Sequence, residues 1–295
     1  MNHQQSSKLR LDQKFLLILI QNAWILPTII SALCIAGCLV PYILSVHYER
    51  VYPILPYISD AGARLPAAAY FSQILDFAGV IAITIFWLRF LQINYYLTVS
   101  IVEQNQQNFE LDNMEKQSKT ITNNNNNNEK LIKRLHLCNL IILIVGIIGS
   151  FSLISIGNFR ESENLAFHNT SVMILAGSFS ILMIGNIIVA YYLNRKFQIE
   201  SLPITWIILE ILTHIAIFNL IISVLILLKI NPNVLLDSDK RANWQPNMDG
   251  YPLHLSSTIS EYLFFIIHSI VFLIFAKRFY QFKHWDKILF KIMLN

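Results

Sequence analysis

The side chains in this sequence that could do chemistry are ionisable groups inside long apolar runs. Asp76, Glu210 and Glu261 each fall within such a run. A charge at membrane depth costs about 3 kcal/mol or more unless it is paired or wet, so each of these acids is a candidate site. Glu210 and His214 are spaced i, i+4, which puts them on one helix face where an acid and an imidazole can share a proton or a hydrogen bond. His254, Glu261 and His268 recur at intervals of seven, so they form a polar stripe on one face, expected to point into a helix bundle. Two readings stay open. Asp76, Glu210, His214, Glu261 and His268 build a lipid-headgroup pocket or proton relay, or they fix helix packing by interhelical hydrogen bonds. The sequence has no defensible Ser-His-Asp order, metal-ligand cluster, phosphate loop, Walker motif or Rossmann motif. No catalytic, cofactor-binding or metal residue is therefore assigned, and no cofactor is expected.

Two stretches between the apolar runs add candidates. The first is Tyr52-Pro53-Ile54-Leu55-Pro56-Tyr57-Ile58-Ser59-Asp60-Ala61-Gly62, followed by Arg64 and Pro66. Its prolines stiffen the backbone and Ser59-Asp60 with Gly62 is turn chemistry, so the stretch could cap a cavity. The second is Gly157-Asn158-Phe159-Arg160-Glu161, leading to His168. Arg160 is placed to pair with Asp60 across the surface, although loop capping accounts for either residue alone. The sequon Asn169-Thr170-Ser171 lies so close to the next apolar run that glycosylation is not expected.

These residues must be held by elements that lipid surrounds. Of 295 residues, 55% are hydrophobic and 14% charged, against about a quarter charged in soluble domains. The apolar residues come in blocks long enough to cross about 30 Å of hydrocarbon. The expected fold is all-α: a polytopic bundle of six transmembrane helices over residues 15–46, 67–93, 135–156, 171–193, 203–228 and 254–279, after a short N-terminal segment, 1–14. The first block is too long for a signal peptide and lacks a small-residue cleavage site, so it reads as an anchor. The net charge of +4 is spread over short loops, which argues for topology signals and against a nucleic-acid partner. Sixteen of the 22 Lys and Arg residues fall on the side that carries both termini, so both termini are expected in the cytosol. Arg89, Lys277 and Arg278 are placed to snorkel at that interface, with Trp24, Trp87 and Trp285 as anchors. Cys34, Cys38 and Cys138 lie in or beside apolar blocks and offer no loop disulfide framework. The loop 98–130, with asparagine from Asn123 to Asn128, cannot bury enough apolar surface to fold alone and is expected to be disordered.

Taken together, Trp24-Ile25-Leu26-Pro27, the Pro56-Tyr57-Ile58-Ser59-Asp60-Ala61-Gly62 loop, the Gly157 to Glu161 segment with His168, and Ser260-Glu261-Tyr262 resemble the damage-regulated autophagy modulator (DRAM) family. That family falls within the wider Frag/DRAM/Sfk group of six-span membrane proteins. Leu65-Pro66-Ala67 stands where the family usually has Pro-Pro-Glu, and Ser260-Glu261-Tyr262 where it tends to have Cys-Glu-Trp. The resemblance implies a non-enzymatic modulator of autophagy or lysosomal function in a lysosomal or other endomembrane, with the plasma membrane as the alternative. Its implied partners are membrane lipids and cytosolic autophagy or lipid-kinase machinery. A scaffold or regulator of phosphoinositide or lipid-anchor metabolism, recruiting through the basic tail Lys277 to Lys291, is the second reading. A small transporter or lipid-modifying enzyme using the buried acids is the third.

Overall fold

A computed structural model describes the backbone of residues 11–114 and 119–294, and side chains within 16–99 and 128–290. The described residues contain helices and no strand. In chain order the helices are α1 (Leu11–Gln21), α2 (Ile25–His47), α3 (Ile58–Ala61), α4 (Ala67–Met114), α5 (Lys119–Asn158) and α6 (Glu161–Phe197). They continue with α7 (Ile204–Ile230), α8 (Pro232–Leu235), α9 (Ser238–Ala242), α10 (Tyr251–Gln281) and α11 (Trp285–Leu294). Six of them, α2, α4, α5, α6, α7 and α10, are long and apolar enough to cross a membrane. A helix satisfies its own backbone hydrogen bonds, which lipid cannot do. Each expected span overlaps one of these helices, and the fold is an all-α six-helix membrane bundle.

The first expected span, 15–46, is two helices. Asn22 breaks it: its Nδ2 donates to the Ile18 carbonyl at 2.8 Å, a local bond that competes with the helix ladder. Pro27 then sits in the first turn of α2, where a missing N–H costs nothing. The short α1 packs instead against α11. Within the expected loop 98–130, α4 is described to Met114 and α5 from Lys119, and residues 115–118 lie outside the described residues. Helix-forming Glu, Gln and Lys residues let the two spans extend past their apolar portions. The loop before the fourth span is helical too, and α6 starts at Glu161.

Around the bundle, α7 packs on α10, α10 on α2, α2 on α4, α4 on α5 and α5 on α6, while the closing pair, α6 and α7, touches only sparsely. Large apolar side chains such as Ile43, Phe77, Phe151, Ile215 and Phe218 face outward, as lipid allows. Inside, Phe86, Phe179, Phe264 and Phe272 interlock edge to face across α4, α6 and α10. Short polar side chains link neighbouring helices: Ser31 to Ser269 at 2.8 Å, Asn139 to Asn94 at 3.0 Å, and Asn219 to Ser260 at 2.8 Å.

At the end of the bundle that carries the termini, Arg89 and Arg278 do not snorkel. They turn inward and are almost fully buried. The guanidinium of Arg89 donates two bonds of 2.8 Å to the Glu200 carboxylate, and Arg278 pairs with the same acid. Arg278 also lies over the Trp206 ring at 4.2 Å. Buried charge needs a partner, and Glu200, in the link between α6 and α7, supplies it. Trp285, expected as an interfacial anchor, is buried with its Nε1 donating to the Phe279 carbonyl at 3.1 Å.

Candidate functional site

The opposite end of the bundle is built from three connections that fold over the helix tops. The Tyr57 to Gly62 stretch forms the single turn α3. It is held from several sides: Ser45 Oγ donates to the Ala61 carbonyl at 2.6 Å, Tyr57 hydroxyl bonds Ser257, and the Ile58 N–H donates to Glu261 Oε2 at 2.8 Å. Gly62 packs so close to the Phe71 ring that a Cβ there would fall 2.4 Å from it. The Asp237 carboxylate accepts from the backbone N–H groups of Asp239 and Lys240 at 3.1 and 3.2 Å, an N-cap that starts α9. In turn α9 presents Arg241.

Asp60, Glu161 and Arg241 meet in one buried cluster. Arg241 Nε lies 3.1 Å from Asp60 Oδ2 and its Nη2 lies 3.0 Å from Oδ1, a bidentate pair. Its Nη1 donates to the Leu235 carbonyl at 2.6 Å. Glu161 Oε1 lies 2.7 Å from Arg241 Nη2 but is not aligned as a hydrogen bond. The Asp60 and Glu161 carboxyls thus converge on the same Arg241 Nη2. Burial first, and the Glu161 charge next, push Asp60 above the usual carboxylate range, against the pull of Arg241. Burial works against the Arg241 charge, but the two carboxyls outweigh it and hold Arg241 above its ordinary value.

A kink in α6 sets the other wall. Asn164 has non-helical dihedrals, φ −146 and ψ 78, and its Oδ1 accepts from the Phe167 N–H at 3.1 Å, capping the helix as it restarts. One turn on, His168 Nδ1 donates to the Phe159 carbonyl at 2.9 Å. With Nδ1 committed to that carbonyl, the neutral ring would have Nε2 as its acceptor. That Nε2 is buried and has no partner.

Between α6 and α7 lies a cavity of about 320 Å³ whose polar wall is Tyr57, Ser59, Glu161, His168, Arg241 and Glu261, with the exposed Asn169 at its edge. It continues toward mid-membrane as a narrow recess of about 60 Å³, and the two share Ser59, His168, Val172, Met173, Leu220, Ile221 and Glu261. The whole is one crevice, polar at its outer end and apolar within.

The structure thus brings together Asp60, Glu161, His168 and Glu261 of the sequence candidates and adds Arg241 and Ser59. Others stand apart. Arg160 pairs with Glu163 one turn along the chain, not with Asp60, because Arg241 already occupies both Asp60 oxygens. Asp76 accepts from Asn158 Nδ2 at 2.6 Å and links α4 to α5. Glu210 and His214 share a face: His214 Nδ1 donates to the Glu210 backbone carbonyl at 2.9 Å and lies 3.2 Å from Glu210 Oε1, but neither residue lines the crevice. His254 is packed among Tyr57, Trp244 and Tyr251, stacked on Trp244 at 4.8 Å. His268 lies between the Phe179 and Phe264 rings, and its Nδ1 donates to the Phe264 carbonyl at 2.6 Å. The stripe His254, Glu261, His268 therefore turns inward, but only Glu261 reaches the crevice. No group of three or more His, Cys, Asp or Glu among the described residues could hold a metal ion.

Fold and site define a six-span membrane protein with a laterally placed amphipathic crevice. A family model described as the Frag1/DRAM/Sfk1/Cwh43P N-terminal domain matches residues 22–282, and the chain belongs to that family. Among curated proteins it is similar to DNA damage-regulated autophagy modulator protein 1 of Xenopus laevis, 25% identical over 260 residues that cover 88% of this chain and 92% of that one. It is also similar to DNA damage-regulated autophagy modulator protein 2 of Bos taurus and of Homo sapiens, each 23% identical over 82% of this chain and 78% of the relative. No solved structure matches.

Proposed function

We propose that this protein is a non-enzymatic multi-span modulator of autophagy and lysosomal function, resident in a lysosomal or other endomembrane and acting through membrane lipids and cytosolic autophagy machinery. The observation that carries the reading is the family match across nearly the whole membrane domain, with relatives whose names describe autophagy modulators. The site supports a binding role: Asp60 and Glu161 are engaged by Arg241, and Glu261 by the Ile58 N–H, so each acid already has a structural partner. Both termini face the cytosol in this reading, on the strength of the Lys and Arg asymmetry, and the crevice then opens on the lumenal or exterior side. The alternative of recruitment by the basic tail loses one of its residues, since Arg278 is committed to Glu200.

The test is autophagic flux in cells lacking the chain, together with imaging of a tagged chain against lysosomal, Golgi and plasma-membrane markers. Reduced flux and lysosomal overlap are expected. Unchanged flux overturns the proposal. A tag on either terminus that is reachable only from the lumen or exterior overturns the orientation.

A further inference from the structure

We infer that the crevice between α6 and α7 is a binding site for a membrane amphiphile whose head group donates hydrogen bonds and carries no negative charge, an ammonium or a hydroxyl. Its chain would lie between the two helices.

Geometry supplies the apolar half. Every other neighbouring pair in the bundle packs closely, whereas α6 and α7 leave a gap walled by Val172, Met173, Ala216, Ile217, Leu220 and Ile221. Both helices carry large exposed apolar side chains toward the surrounding lipid, Met173 and Phe218 among them. A hydrocarbon chain can therefore enter sideways and bury itself at no polar cost.

The polar half sets the head group. His168 is 2% exposed and offers an unpartnered Nε2 lone pair, and its Nδ1–H is spent on Phe159. Glu161, 2.7 Å from Arg241 Nη2, and Glu261, which accepts the Ile58 N–H, bring two carboxyls to the same wall. A buried acceptor without a donor costs roughly 1–3 kcal/mol, so His168 Nε2 is complementary to N–H or O–H, and the two carboxyls beside it favour a head group without negative charge. An anionic head group finds the reverse. Arg241 is the one guanidinium or ammonium lining the cavity, and its donors already serve Asp60, Glu161 and the Leu235 carbonyl. The inference goes beyond the autophagy reading and stands apart from it, because its readout is binding to purified protein.

The test uses the full chain, purified in detergent, with thermal melting and native mass spectrometry in the presence of four probes of matched chain: oleylamine, monoolein, oleate and oleoyl phosphate. Saturable stabilisation by oleylamine, by monoolein or by both is expected, at least 10-fold tighter than by oleate or oleoyl phosphate. Oleylamine alone identifies an ammonium ligand, and monoolein a hydroxyl one. Ile221→Trp, which fills the crevice from a half-exposed wall position, should abolish the stabilisation while leaving the melting temperature of the free protein unchanged. His168→Phe should reduce the preference at least 10-fold. Equal stabilisation by all four probes, preference for the anions, or full retention of binding in Ile221→Trp with intact melting would overturn the inference.

Discussion

Asp60 and Arg241 lie 181 residues apart and form a bidentate ion pair that is sealed from solvent. The pair ties the connection between α2 and α4 to the connection between α7 and α10, and Glu161 brings in the start of α6 at the same point. Three separate loops thereby become one lid over the crevice. Removing one partner of a buried pair leaves the other charge unpaired, at a cost of about 3–5 kcal/mol. Arg241→Ala should therefore lower the Tm of the purified protein by on the order of 10 °C. Arg241→Lys should do nearly as badly, since one ammonium cannot span Asp60, Glu161 and the Leu235 carbonyl together. Unchanged melting of Arg241→Lys would show that the fork geometry is immaterial.

Helix contacts within the bundle give a paired prediction. A Cβ on Gly79 would fall 2.4 Å from the Ile154 side chain and 3.0 Å from the Ser150 carbonyl oxygen, so Gly79→Ala must displace Ile154 or push α4 and α5 apart. Gly177, on α6, has nothing within 4 Å of the same position. Gly79→Ala should destabilise by about 1–3 kcal/mol, whereas Gly177→Ala should be neutral or stabilise by up to about 1 kcal/mol through helix propensity. Melting curves of the two variants side by side decide it, and equal Tm values would contradict the close packing of α4 on α5.

How much of this was legible in the sequence depended on the range of the signal. Six apolar blocks announce six helices because lipid admits only helices and closed barrels, and unbroken apolar runs of about 20 residues are too long for barrel strands. The Tyr57 to Gly62 stretch and Glu261 were both visible as candidates, yet their contact was not, since a hydrogen bond across 203 residues leaves no local pattern. Arg241 looked like one more loop cation. Only the Asp237 cap, which starts α9, hints that the loop is ordered. Arg89 and Arg278 were misread as snorkelling because position along a helix says nothing about which way a long side chain turns, and Glu200, which turns them inward, sits outside every apolar run. The first span was read as unbroken because its hydropathy is continuous through Asn22, while the break comes from that residue's side-chain bond to its own backbone.

Glu200 gives the cleanest pH dependence. Burial would raise its pKa, but the guanidinium groups of Arg89 and Arg278 outweigh that and hold it at about 2, below the ordinary 4.5. A carboxyl whose folded pKa is depressed contributes stability above its ordinary value and loses it as pH falls through that value toward the folded one. The knot at the terminus-bearing end should thus be intact at neutral pH and weaken from about pH 4.5 down to about 2. The shift corresponds to roughly 3 kcal/mol at 1.36 kcal/mol per unit. Glu200→Gln should lower Tm at pH 7 and flatten the acid limb of the Tm profile. A wild-type acid limb reproduced unchanged in the variant would remove Glu200 as its source.

The last prediction separates an anchoring role of Glu261 from a proton-carrying one. Its Oε2 accepts the Ile58 N–H at 2.8 Å, which holds the start of α3 against α10. A glutamine retains a carbonyl oxygen at that place, so Glu261→Gln should keep the loop docked and cost little, about 1 kcal/mol or less. A leucine of similar size cannot accept, and the buried Ile58 N–H would be orphaned, at roughly 1–3 kcal/mol. The consequence is local first, because α3 is a single turn whose other ties are the Ser45, Tyr57 and Asp60 contacts. Glu261→Leu should therefore raise amide hydrogen exchange across residues 52–66 before it lowers the melting temperature of the bundle, while Glu261→Gln stays close to wild type in both. Should Glu261→Gln instead abolish cellular function with exchange and melting unchanged, the carboxyl proton itself would be the functional group, and the anchoring role would be secondary.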